Sequence, residues 1–247
     1  MREYHTTGMA SLYSFCAYRM LTKWLRVCPR RKRCLDNRLF SVKCVEDSSR
    51  PAFLEFLTIL NRSSSSLEEL AAALPNIEFK NLDLSKLPNP QQTYYIPISE
   101  EPERFNLCLF YLPRGAALPW HDHPNQHVLL RLVRGELKIH SADLLEAGKP
   151  PIVGNEYQVF IHDLVRLRES DPPSIYRVDP DKRNIHEITA VTDSLFLDLV
   201  MPPYSSQRTI TYFKTNNAQH STQSTFTAVR ERDVPLDMSQ ADINSLV

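Results

Sequence analysis

Apolar residues in Pro51-Ala-Phe-Leu-Glu-Phe-Leu-Thr-Ile-Leu60 recur at helical spacing, and after the serine run Ser63 to Ser66 so do those of Leu67-Glu-Glu-Leu-Ala-Ala-Ala-Leu74. Ser66 with Glu69 three residues on forms a capping box, which predicts a helix start at that point. Beyond Pro75 the pattern changes to short runs rich in Tyr, Phe, Ile and Val: Thr93 to Ile98, Phe105 to Leu112, Val128 to Val133, Leu137 to Ser141, Tyr157 to Leu167, Ile185 to Val191 and Leu195 to Met201. Runs of this length, broken by Pro and Gly, predict an all-β sandwich or barrel rather than alternating βαβ units. Two short helices therefore precede a β core.

Between Ala142 and Pro180 the pairs Pro150-Pro151 and Pro172-Pro173 flank a single candidate strand, which predicts a long excursion over the surface. The chain after Lys214 is rich in Thr, Ser, Gln and Asn with weak periodicity, and part of it is expected to be disordered. These shifts give three segments: a basic start over 1–45, a domain over 46–214 and a polar tail over 215–247.

From Tyr4 to Leu35 there is no acidic residue, while Arg19, Lys23, Arg26 and Arg30 to Arg33 accumulate beside Leu12, Phe15, Met20, Leu21, Trp24 and Leu25. That texture resembles a mitochondrial presequence. A nuclear signal at Arg30 to Arg33 and a disordered start are the rival readings, and translation could equally begin at Met9. Cytoplasmic location is the expectation, with the mitochondrion as the alternative. Lys and Arg total 29 against 29 Asp and Glu, so no global field calls for nucleic acid or an acidic membrane. No run approaches the roughly 20 apolar residues that cross a bilayer. Five cysteines, four of them in the first 44 residues, make no disulfide framework. Cys28 and Cys34 lack the second ligand pair of a zinc finger. A monomer is expected.

Candidate chemistry lies in the histidines. In Trp120-His121-Asp122-His123-Pro124 the pair is separated by one residue, which on a strand puts both imidazoles on one face. Gly115 stands six residues before His121 and Gly135 twelve after His123, framing the pair between two turns. This frame resembles the first cupin motif. Many cupins add a carboxylate four or five residues after the second histidine; His127 and Val128 occupy those positions. Farther on, His186 sits among apolar neighbours in Asn184-Ile185-His186-Glu187-Ile188-Thr189-Ala190-Val191, where a cupin carries its last ligand. His127, His140 and His162 read instead as turn, strand and loop residues.

Leu109-Phe110-Tyr111-Leu112-Pro113 with Pro119-Trp120-His121-Asp122-His123-Pro124, then Asn184-Ile185-His186, then Leu197-Asp198-Leu199-Val200-Met201-Pro202-Pro203-Tyr204 resemble, in order and spacing, the cysteamine (2-aminoethanethiol) dioxygenases and plant cysteine oxidases. The resemblance runs from about Tyr94 to Lys214, and Met9-Ala10-Ser11-Leu12 is similar to the opening of the animal enzymes. It departs where Asn125 replaces the glycine that usually follows the histidine-pair proline; Asn tolerates left-handed angles, so the turn can survive. Arg183 stands where the general second cupin motif has Gly. Animal members can cross-link a Cys to a Tyr two residues later, and the matching positions are Ile210 and Tyr212, so that bond cannot form.

The resemblance implies a cupin double-stranded β-helix (jelly-roll barrel) with short N-terminal helices. It implies Fe(II) on His121, His123 and His186, and catalytic roles for Asp198, Tyr204 and Tyr212. The implied substrates are dioxygen with cysteamine or the N-terminal cysteine of proteins, giving the sulfinic acid; an oxidised N-terminal cysteine marks a protein for degradation, which would tie protein lifetime to oxygen. Strand alternation puts Asp198 with Phe196 and Val200 on one face, opposite Leu197 and Leu199, so it is either a site residue or one half of a structural salt bridge. A non-catalytic metal-binding cupin and a cupin isomerase remain the alternatives.

Overall fold

The computed structural model describes residues 50–246 except 63, 80, 147–149 and 216–221. The basic start with its targeting readings, and Cys28 and Cys34, lie outside the described residues. Helix α1 (Arg50–Asn61) and helix α2 (Leu67–Ala73) stand where the periodicity predicts them. The capping box forms in both directions: the Glu69 amide donates to Ser66 Oγ at 3.1 Å and the Ser66 amide to Glu69 Oε2 at 3.0 Å.

The strands are β1 (Thr93–Glu101), β2 (Phe105–Leu112), β3 (Ala117–Asp122), β4 (His127–Arg134), β5 (Glu136–Leu144), β6 (Glu156–Ile161), β7 (Val165–Arg168), β8 (Tyr176–Val178), β9 (Ile185–Ala190), β10 (Ser194–Met201), β11 (Tyr212–Thr215), β12 (Gln223–Val229) and β13 (Met238–Gln240). They form two sheets, ordered β13-β1-β2-β10-β4-β8 and β6-β12-β11-β3-β9-β5-β7. Apart from the parallel β13–β1 contact, every paired strand runs antiparallel. From β2 to β5 and from β7 to β11 successive strands alternate between the sheets. This is the double-stranded β-helix of the cupins. In the second sheet β6 pairs with both β12 and β5, so six strands close into a ring.

Alternation along β10 separates two cores. Leu195, Leu197 and Leu199 face outward and join Phe53, Phe56 and Leu60 of α1 with Leu107 and Leu109 of β2 in one cluster. Phe196 and Val200 face the barrel interior with Leu130, Leu137, Ile139 and Ile188. With every residue from Ser194 to Val200 buried, β10 is a central strand covered on both sides, which explains its unbroken apolar run. A third cluster of Ala142, Val159, Ile185, Phe213, Phe226 and Ala228 fills the back of the second sheet.

Two expectations need correction. The excursion from 142 to 180 contributes β6, β7 and β8, each paired into a sheet, so it is part of the barrel. Residues beyond 214 also belong to the fold. Strand β12 pairs with β11 and β6, β13 pairs with β1, and Ala241, Ile243 and Leu246 are buried in the helix-side core. Polarity misleads there because β12 has one solvated face, and its Thr residues are good strand formers. Among the described residues no helix is long and apolar enough to cross a membrane.

Candidate metal centre

Strands β3 and β9 lie side by side with His121 opposite His186 and Asp122 opposite Ile185. His123 follows the last residue of β3, where the chain turns through Pro124 and Asn125; Asn125 takes φ 54°, the left-handed angle its short side chain tolerates. The three imidazoles are buried, and their nitrogens converge. His123 Nε2 stands 3.1 Å from His186 Nε2, which stands 3.2 Å from His121 Nε2.

Hydrogen bonds on the far side of each ring decide what these nitrogens offer. His121 Nδ1 lies 2.7 Å from the Pro119 carbonyl oxygen, so Nδ1 carries the hydrogen and Nε2 keeps a lone pair. The Tyr204 hydroxyl donates to the Asp122 carbonyl at 2.8 Å, so the 2.8 Å contact with His123 Nδ1 is one it accepts. His123 Nε2 is therefore also a lone pair. His186 Nδ1 is buried without a hydrogen-bond partner. Burial lowers the His121 pKa to about 4, and burial together with the neighbouring histidines takes His123 and His186 well below the ordinary value. All three are neutral near pH 7, the protonation state of a ligand.

His121 and His123 both aim a lone pair at His186 Nε2, and a cation among the three nitrogens would satisfy all of them. Nitrogens at right angles around an ion with bonds of about 2.1 Å stand about 3.0 Å apart. The two spacings to His186 fit neighbouring positions around one ion, and all three ligand nitrogens lie within 4.8 Å of one another. No carboxylate belongs to the cluster.

Around it stand the other residues that the sequence singles out. Tyr204 contacts His123 directly, with ring centroids 5.5 Å apart; burial, then Asp122, Tyr212 and Asp198, push its phenol well up. Tyr212 pairs in register with His121, and their rings lie 6.2 Å apart. Asp198 lies on the interior side of β10, beside Cys108 in register. Its Oδ1 is buried with no hydrogen-bond partner, and burial pushes its carboxyl up to about 7. Among the described residues no cation pairs with it, so the salt-bridge reading has no support. The Cys108 thiol is also pushed well up by burial, then by Asp198, and is a poor nucleophile.

The remaining histidines stay out of the cluster. His127 opens β4 rather than lying in a turn, and bonds Asp179 at 2.8 Å; His140 is on β5 and His162 follows β6, bonding Asp143 at 2.6 Å. Sequence reasoning overlooked Asn184, whose carboxamide touches the main chain of His123. It precedes the first residue of β9, so no strand pattern marks it.

A double-stranded β-helix whose interior gathers three neutral imidazoles, with no carboxylate in that cluster, defines a cupin with a site able to hold a metal ion. The PCO_ADO family profile matches residues 66–242, and the chain belongs to that family. Human 2-aminoethanethiol dioxygenase is 32% identical over 179 residues, 64% of this chain and 64% of that protein. A probable 2-aminoethanethiol dioxygenase of Dictyostelium discoideum is 24% identical over 77% of this chain and 90% of its own. Plant cysteine oxidase 2 of Arabidopsis thaliana is 25% identical over 74% of this chain and 69% of its own. The chain thus spans a little under two thirds of the human relative's length.

Proposed function

We propose that the chain is a non-haem Fe(II) thiol dioxygenase that converts cysteamine, the N-terminal cysteine of proteins, or both, to the sulfinic acid. The observation that carries this reading is the set of three neutral imidazoles without a carboxylate. His121, His123 and His186 would hold the iron, which would keep its full charge of two on such neutral ligands and supply the chemistry that brings a thiol and dioxygen to react. Both oxygen atoms of O2 end on the sulfur, the thiol hydrogen ends on the sulfinic acid, and no other reductant is consumed.

The rest is the work of the chain. His121 and His123 are fixed in one tautomer by the Pro119 carbonyl and the Tyr204 hydroxyl. Asp198 is a buried carboxyl without a partner, facing the interior, and in this reading it receives the ammonium group that cysteamine and an N-terminal cysteine share. A cation there supplies the missing counter-charge and draws the carboxyl into its ionised form. Tyr204 and Tyr212 flank the ligands and orient the bound reactants, while the apolar wall of Phe110, Phe196 and Val200 keeps water away. If protein N-termini are the substrate, the product marks them for degradation and the enzyme reports oxygen.

Metal analysis and an oxygen electrode test this together. The purified chain should hold about one iron, consume one O2 per cysteamine, and lose most of its metal as His186→Ala, since two ligands leave a weak, open site. Bound metal without oxygen uptake would leave only a metal-binding cupin; a zinc-only protein, or a fully loaded His186→Ala, would remove the iron assignment.

A further inference from the structure

The three ligands are not held in the same way. His121 and His186 face each other on paired strands, so the β3–β9 ladder fixes their spacing. His123 lies one residue past the end of β3, and the residue that would continue the register opposite it is Asn184. The Asn184 amide is not available for that rung, because it donates to Asp143 Oδ1 at 3.2 Å. Its side chain fills the place instead. The His123 amide donates to Asn184 Oδ1 at 3.3 Å, and Asn184 Nδ2 donates to the His123 carbonyl at 2.7 Å. A carboxamide has the donor and acceptor of a peptide group, so it can extend the ladder by one rung.

Asn184 is held on every side. Nδ2 also reaches the Asp179 carbonyl at 3.3 Å, and Asp143 is bonded through its other oxygen to His162 Nε2 at 2.6 Å. Arg183, immediately before it, turns the chain with φ 57° and so presents the carboxamide to the β3 end. We infer that Asn184, anchored by Asp143 and His162, is the positioning residue for the third metal ligand: it sets the His123 main chain so that Nε2 meets those of His121 and His186. This rests on the reading of the cluster as a metal centre.

Metal affinity in a double-mutant cycle tests it. Co(II) titration of the purified full chain, followed by its d–d absorption and checked by competition with a chelator, would be run on the native protein, Asn184→Ala, His123→Ala and the double variant. Asn184→Ala should weaken Co(II) binding by about 10-fold to 100-fold. In the His123→Ala background the same change should cost less than about 2-fold, because the group it positions is gone. A merely structural role would instead lower affinity by the same factor in both backgrounds, and that result would overturn the inference. So would unchanged affinity in Asn184→Ala. A native chain that binds no Co(II) would overturn the metal centre itself, and the inference with it. If Asn184→Ala does not fold, Asn184→Asp replaces it in the cycle; it keeps the acceptor but loses the donor to His123 and Asp179, and the same pattern is required.

Discussion

Asp198 carries a prediction with two separable parts. Replacing it by Asn keeps the volume and removes the charge, so turnover should fall roughly 10-fold to 1000-fold while metal content is preserved, because a group that orients reactants does not hold the ion. Normal turnover per folded molecule would remove Asp198 from the site. Its stability effect has a definite sign. The folded carboxyl binds its proton more tightly than the unfolded one, since burial raises it to about 7. That contribution is fully present below about pH 4 and is lost as pH rises toward 7. The metal-free protein should therefore lose stability across this window, and Asp198→Asn should reduce the loss by at most on the order of 4 kcal/mol. Asp122, raised by burial to about 7 as well, leaves part of the slope in place. Chemical denaturation of both proteins at pH 4 and pH 8 measures the difference; equal slopes would mean that Asp198 is ionised in the fold. Alternation along a strand was enough to put the two imidazoles of the His121–His123 pair together and Asp198 on one face with Phe196 and Val200, whereas the roles given to these residues came from the resemblance. Asn184 was not legible, since a side chain standing in for a strand rung leaves no periodic trace.

At the scale of elements, the helices and the buried strands followed from periodicity because each has one face, or both, in a core. The strand β10 announced itself through its apolar run, and α1 through Phe53, Phe56 and Leu60. The edge strands β8 and β13, three residues each, did not, and neither did β12, which is largely polar. Too few inward positions remain in such strands to set a period. The C-terminal segment shows the cost of that gap. Leu246 is fully buried in the helix-side core, its carbonyl accepts from the Asp83 amide at 2.7 Å, and Ala241 bonds the Tyr95 carbonyl at 3.1 Å. Leu246→Ala should destabilise the protein by about 2 to 5 kcal/mol, the cost of a cavity in a packed core. A denaturation midpoint unchanged from the native chain would mean that the segment is not part of the folded core.

For the whole molecule, the barrel serves to bring two sheets to one site. The second sheet supplies His121 and His186, with His123 at the end of β3, and the first supplies Asp198 from across the interior. In the proposed reading, a metal held on one side and a carboxylate set on the other would suit a substrate with two ends, a thiol and an ammonium separated by two carbons. The most direct test of that account is the mass of a peptide that begins with Cys after incubation with the Fe(II)-loaded chain in air. It should gain about 32 Da, two oxygen atoms on one sulfur, while the same peptide acetylated at its N-terminus should remain unchanged because the ammonium is gone. Disulfide as the sole product, or equal reaction of the acetylated peptide, would contradict it.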